Sequence, residues 1–279
     1  MKERIWVKVL LYIGILVLML FTLLPVLWLL SSSFKVENEI FKLVPSWIPK
    51  KFTLANYRWV FSPTGPKFVK LMTNSIVVAG VCSLLTIVIS SMGGYSLGRF
   101  NFRGIKLVSV ILLLSQMFQG PLIMIPWYKM ASLMGILNTR LALILIYGTI
   151  TVPVCVLLMS SFFSKIPPEL EEAAEIDGCS RTSTFVRILL PLTAPGLVSI
   201  GIYSFIIAWN DYQYALILTS SLKAKTIQVG VAELMDSLGK INWGGIMATG
   251  ILVTVPVVVL FALIQRYLIE GLTAGAVKG

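Results

Sequence analysis

Apolar residues fall in six long runs, at 9–30, 74–97, 107–127, 141–163, 196–218 and 245–264, each of 20 to 24 residues. A hydrocarbon layer about 30 Å thick is crossed by about 20 helical residues. Backbone groups in lipid must bond within their own segment, so such runs are helices. The strict alternation of a membrane barrel is absent. The pattern predicts an all-α, polytopic membrane protein with six transmembrane helices and a single domain over 1–279. One formally charged side chain, Asp211, stands inside the runs; the remaining charges lie between them. The first run follows Met1, Lys2, Glu3 and Arg4, which look like the start of a signal peptide. A signal core has only about 7–15 apolar residues and a small-residue cleavage site. This run is longer and no A-x-A follows, so it reads as a retained helix.

Composition agrees and narrows the chemistry. Hydrophobic residues make up 57% and charged residues 13%, against about 25% charged in an ordinary soluble domain. That excludes a water-soluble globular protein, a disordered chain and a secreted disulfide scaffold. Histidine is absent, so neither an H-E-x-x-H zinc site nor a Ser-His-Asp triad is possible. Cys82, Cys155 and Cys179 are far apart, and two of them lie in apolar runs, which argues against a metal site or a disulfide framework. No metal and no cofactor is expected. Gly239 and Lys240 are followed by Ile241 without the upstream glycine of a phosphate loop. The formal charge of +11 suits anionic lipid headgroups. No basic cluster with interleaved aromatics points to nucleic acid.

Six spans put both termini on one side. With the termini cytoplasmic, the inner segments hold 11 Lys and Arg and the outer ones 12, a slight bias. The short segments speak more clearly: Lys2, Arg4 and Lys8 before the first run, and Arg99, Arg103 and Lys106 between the second and third. The outer loops are then 31–73, a long polar connection with Pro45, Pro49, Pro63 and Pro66, and 219–244. The long inner loop is 164–195.

That inner loop predicts a short helix, a turn and a second helix. Pro167 and Pro168 suit a helix start, where missing N–H groups cost nothing. Glu169, Glu171 and Glu172 fall in the first turn, where the helix dipole favours anions. Gly178 sits where a left-handed residue ends a helix, and Ser180 or Ser183 is placed to cap the next one. Leu170, Ala173, Ala174 and Asp177 share one face, kept low by its alanines and open to close approach by another protein. A solvated acidic connector is the plain alternative.

The order Glu172, Ala173, Ala174, Gly178, Ile188, Leu190, Pro191 resembles the EAA signature of binding-protein-dependent ABC importer permeases. Further likenesses are Phe52, Thr53, Leu54, Ala55, Asn56, Tyr57; Ala208, Trp209, Asn210, Asp211; and the end from Gln265 and Arg266 to Gly271–Gly279. Together they look like the shorter permease subunit of the maltose/maltodextrin-type carbohydrate importers, over nearly the whole chain. The resemblance implies the type I importer permease fold and a cytoplasmic 164–195 loop in a prokaryotic cell membrane. It implies a second, homologous permease, an extracytoplasmic substrate-binding protein, and a cytoplasmic ATPase dimer that binds the ATP. Glu172, Ala173, Ala174 and Gly178 then belong to a coupling helix docked on the ATPase, with Ile188, Leu190 and Pro191 in support. The last glycines, Gly271, Gly275 and Gly279, predict a tail too flexible to fold alone; the resemblance implies that it orders within the ATPase dimer.

An ionisable group at membrane depth is costly and faces a cavity or a partner. Asp211, with Trp209, Asn210 and Gln213, offers the aromatic faces and hydrogen bonds that suit a sugar. Gln116 and Gln119 in the third run are similar candidates. An outer aromatic belt or a structural bond to a neighbouring helix would equally account for Asp211. The expected function is one half of the pathway of an ATP-driven sugar importer working by alternating access, with glycerol phosphate or another polyol derivative as the alternative cargo. A membrane-embedded enzyme would need several convergent ionisable groups, and a secondary carrier would show broken-helix inverted repeats; neither is evident.

Overall fold

A computed structural model of the chain describes residues 5–118, 120–235 and 241–276. Described residues with regular structure are helical: α1 (Ile5–Ser33), α2 (Glu37–Ile40), α3 (Ala55–Phe61), α4 (Phe68–Arg99), α5 (Ile105–Ser115), α6 (Pro121–Leu133), α7 (Arg140–Phe163), α8 (Glu169–Ile176), α9 (Arg181–Thr184), a π-helical turn (Phe185–Leu189), α10 (Leu190–Leu192), α11 (Ala194–Asn210), α12 (Gln213–Leu218), α13 (Ile227–Met235) and α14 (Trp243–Ala276). Four helices, α1, α4, α7 and the Trp243–Gln265 part of α14, are singly long and apolar enough to cross a membrane. A fifth candidate is the pair Arg181–Leu192 and Ala194–Asn210, bent by 77°.

The third predicted span, 107–127, is not one helix. It stops at Ser115 and resumes at Pro121. Gly120 takes φ +83°, outside the helical region, and a proline lacks the N–H that would continue the ladder. The fifth run also breaks: Asp211 is extended, with ψ 129°, before α12 begins. At the C-terminus α14 runs through Gly271 and Gly275 to Ala276, which corrects the expectation of an unstructured 271–276. Propagation of an established helix outweighs about 1 kcal/mol per glycine. Residues 277–279 lie outside the described residues.

Two compact units divide the chain: Met1–Val69 with Gly230–Pro256, and Lys70–Val229 with Val257–Gly279. In the first, the long loop after α1 is folded around buried polar groups. Lys35 and Glu39 are 2% and 4% exposed. The Glu39 carboxylate accepts from Ser46 Oγ at 2.7 Å and from the backbone N–H groups of Lys50 and Lys51 at 2.8 and 3.4 Å. Lys35 Nζ donates to Ser46 O at 2.5 Å and lies 4.2 Å from the Trp28 ring centroid. The Lys50 N–H, foremost among these donors, holds Glu39 below the ordinary 4.5 of a glutamate. Burial lowers Lys35, with Glu39 opposing the shift. The Asn56 amide donates to Ser33 O and Lys35 O, both at 2.9 Å, and a Cβ on Gly244 would meet that amide at 2.5 to 2.7 Å.

The second unit packs α7 against α11, with Cys155, Met159, Phe163, Ile166, Leu189 and Ile200 as a buried core. Helix α4 lies directly on α7: a Cβ on Gly94 would strike Met159 and Ser160, and one on Gly98 would stand 2.7 Å from Ser160 O. Small residues at such crossings allow close backbone approach. Hydroxyls add polar links, Thr86 to Thr151 at 2.9 Å and Ser83 to Gly201 O at 2.8 Å. At the other end of α4, Asn74 donates to Leu222 O and Lys225 O and accepts from Arg140.

Candidate functional site

The 164–195 loop holds a tightly terminated helix. Asp177 is the last half-helical residue of α8 and Gly178 takes φ +80°. Gly178 N–H donates to Glu175 O at 3.1 Å and Cys179 N–H to Ala174 O at 2.9 Å. These two bonds form the Schellman motif, which requires a left-handed residue at this place. A Cβ on Gly178 would meet nothing within 4 Å, so the demand for glycine is conformational rather than steric. Ser180, not Ser183, caps α9, accepting from Ser183 N–H at 3.3 Å.

Helix α8 carries a different outer face from the expected one. Glu172 and Ala173 are exposed, but Ala174 is 3% exposed and packs inside the chain. The expected docking face of Leu170, Ala173, Ala174 and Asp177 is therefore corrected for Ala174. Helical spacing sets Glu171 and Ala174 on the inward side and Glu169, Glu172, Ala173 and Ile176 outward, a rotation of roughly a quarter turn. Ile176 is 86% exposed, and its exposure on an acidic helix was not foreseen. Ile188 and Leu190 are half-buried and Pro191 is exposed, on the π turn and α10.

Glu171 is engaged within the chain. Its Oε1 is 2.5 Å from Arg99 Nε at the end of α4, and its Oε2 accepts from Tyr95 Oη at 3.4 Å. Arg99 Nη2 also donates to Pro167 O at 3.4 Å. The Tyr95 ring sits among Phe100, Phe163 and Phe185, with centroids 5.3, 5.5 and 4.9 Å away. Sequence reasoning gave Glu171 only a dipole role. A cation ending one span and an acid opening the next inner helix were the available signal.

The second candidate is the break after α11. The Asp211 carboxylate accepts from Tyr147 Oη at 2.8 Å, from Ala215 N–H at 3.0 Å and from Tyr214 N–H at 3.5 Å. It caps α12 and satisfies a tyrosine with no exposed surface. With Gly120, Tyr147, Ile150, Ile206, Ile207, Asn210 and Tyr214 it lines a recess of about 280 Å³. Tyr214 Oη donates to Gly120 O at 3.2 Å, tying α12 to the interruption before α6. Trp209 is buried against Phe205, 5.5 Å between centroids. Gln213 is exposed, Gln116 ends α5 half-buried, and Gln119 lies outside the described residues. Tyr147 was missed: a lone phenol in the middle of an apolar run needs a buried acceptor, and Asp211 is that acceptor. Among the described residues, no three or more Cys, Asp or Glu converge as metal ligands.

Comparison with known proteins agrees with this arrangement. The chain is 38% identical over 268 residues to the inner membrane ABC transporter permease protein YcjP of Escherichia coli K12, covering 96% of this chain and 95% of that one. It is 37% identical over 279 residues to the trehalose/maltose transport system permease protein MalG of Thermococcus litoralis, covering 100% of both. Its fold matches a chain of a bacterial ABC transporter involved in import of the acidic polysaccharide alginate, with TM-score 0.78, 22% identity, and 96% and 99% of the two chains covered. The family described as "Binding-protein-dependent transport system inner membrane component" matches residues 4–273, and the chain belongs to that family.

Proposed function

We propose that this chain is one of two permease subunits of an ATP-driven, binding-protein-dependent importer of an oligosaccharide. The whole of 1–279 serves as one permease domain. The observation that carries the reading is α8: a short helix closed by a Schellman turn, presenting Glu169, Glu172, Ala173 and Ile176 outward. An apolar knob ringed by carboxylates suits a cleft with a basic rim on an ATPase. Gly178 sets the turn, Ala174 seats the helix, and Ile188, Leu190 and Pro191 connect it to α11. Carbohydrate cargo is supported by the trehalose/maltose name of the Thermococcus relative and the alginate import of the fold neighbour.

On this reading the protein lies in a prokaryotic cell membrane with the 164–195 loop and both termini in the cytoplasm. It holds no nucleotide or cofactor; a separate ATPase dimer hydrolyses ATP, and an external binding protein delivers substrate. ATPase closure moves α8, and the spans alternate their access. Asn210 and Gln213 are the exposed amides left to meet a sugar beside Gln116, since the Asp211 oxygens and the buried Trp209 are already taken up in the protein. The test uses Ile176→Asp and Glu172→Lys. Neither changes a buried group, so permease abundance should hold while the ATPase subunits leave the membrane and uptake is lost. If both variants keep the ATPase bound and transport normally, the loop is a connector. A single cysteine at Ser180 labelled from outside would reverse the orientation.

A further inference from the structure

Helix α8 is joined to its neighbours by short non-helical joints. Residues 164–168, with Pro167 and Pro168, lead in from α7, and the Gly178 turn leads out to α9. A push on a helix hung between two such joints would turn it in place. Besides the open Arg181–Glu175 pair to α9, at 3.9 Å with side chains 76% and 60% exposed, one more enclosed side-chain assembly opposes that. Arg99 and Glu171, with side chains 11% and 26% exposed, meet at 2.5 Å. The same guanidinium reaches Pro167 O, and Tyr95 reaches the other Glu171 oxygen. The guanidinium is planar and permanently charged, and it spans two parts of the loop, as an ion pair to the Glu171 carboxylate and a hydrogen bond to the Pro167 carbonyl. Behind it, Gly94 and Gly98 seat α4 against α7 with no side chain between them.

We propose that Arg99 and Glu171, steadied by Tyr95, form a strut that makes α8 and the end of α4 one moving body. Displacement at α8 then passes straight into a membrane-spanning helix rather than only along the chain through α7 or α9. Both are positioning residues, since neither faces the outer side of α8. The proposal rests on the reading that α8 docks on the ATPase.

The experiment uses the assembled complex with spin labels at Met92 on α4 and Asp177 beside α8, both exposed. Cys179 is replaced; Cys82 and Cys155 are buried. The inter-label distance is measured without nucleotide and with ATP trapped by vanadate, beside ATPase retention on membranes. In the parent, the distance should keep its mean and width between the two states. In Arg99→Ala and Glu171→Ala it should shift or broaden on trapping, with the ATPase retained. The swapped pair, Arg99→Glu with Glu171→Arg, should restore the narrow distribution, because the interaction and not either residue alone is responsible. A half-buried ion pair that loses one partner can destabilise the chain. If the single variants do not accumulate, Glu171→Gln, which keeps the shape without the charge, and the swapped pair decide the matter. The strut is overturned if the parent distance changes with nucleotide, if the variants stay as narrow as the parent, or if the swap leaves the distribution broad. Failure of the docking reading is separate: Ile176→Asp would then retain the ATPase whatever the labels show.

Discussion

The Asp211 carboxylate gives a quantitative test of what holds the broken fifth run together. Asp211→Ala removes the acceptor of Tyr147, a side chain with no exposed surface. Leaving such a donor unpaired costs about 1–3 kcal/mol. The same change uncaps α12, where Ala215 and Tyr214 N–H groups now find an oxygen; a lost cap costs about 1 kcal/mol. The expected loss is therefore about 2–4 kcal/mol. Asp211→Asn retains an acceptor and gives up only the charge-assisted part, about 1 kcal/mol. Tyr147→Phe removes the orphan before it can form, so the double variant Tyr147→Phe with Asp211→Ala should cost about 1–2 kcal/mol less than the sum of the singles. The chain carries its own reporters. Cys82 and Cys155 are buried thiols that become reactive to a thiol dye on unfolding, once half-exposed Cys179 is replaced by serine. Thermal unfolding should rank the parent above Asp211→Asn, and that above Asp211→Ala. Equal stabilities for Asn and Ala, or single costs that simply add, would refute a structural carboxylate and return Asp211 to the passing substrate.

Three further outcomes are expected. Gly178→Ala should weaken the loop by about 1 kcal/mol and Gly178→Asn by less, because the space is open and only the positive φ resists; uptake at equal permease abundance reads the difference. Ala174→Asp should lower the abundance of the permease itself, measured on membrane blots, because it places a charge in a site that is 3% exposed. Residues 35–51 should loosen as pH falls. Glu39 lies below its ordinary value in the folded state, so its stabilisation is present above that value and is lost as pH drops through the folded one. Hydrogen exchange of the Lys50 and Lys51 amides should show this, and Glu39→Gln should flatten it.

Much of the fold was legible because lipid leaves the backbone few choices. Four of the six apolar runs fall within single helices, the third and fifth are each split between two, and the local grammar of 164–195 holds down to the left-handed Gly178 and the serine cap. Gly93 and Gly94 stand where α4 crosses α7, and a Cβ on Gly94 would meet the α7 backbone. The third run misled because hydropathy does not register a φ of +83° at Gly120, although the Gly120–Pro121 pair was visible. The face of α8 misled for another reason. Alanine is apolar enough to be buried and small enough to be docked upon, so sequence spacing alone fixes neither. What fixes it is Arg99 holding Glu171, a meeting of residues far apart in the chain.

The π-helical turn at Phe185–Leu189 has a bearing on how this chain tolerates change in length. A π turn closes its ring one residue later than an α turn, so the helix carries one residue more there than its winding requires. Removing a residue elsewhere, within α7 for instance, would rotate everything beyond it by about 100° and exchange its buried side for its exposed one. Removing exposed Val186 or Arg187 would let the turn close as ordinary α-helix, with α9 and α10 still in phase. Among the described residues, the stretch between the Gly178 turn and the bend at Thr193 is thus a place where a deletion is absorbed by winding rather than passed on as a rotation.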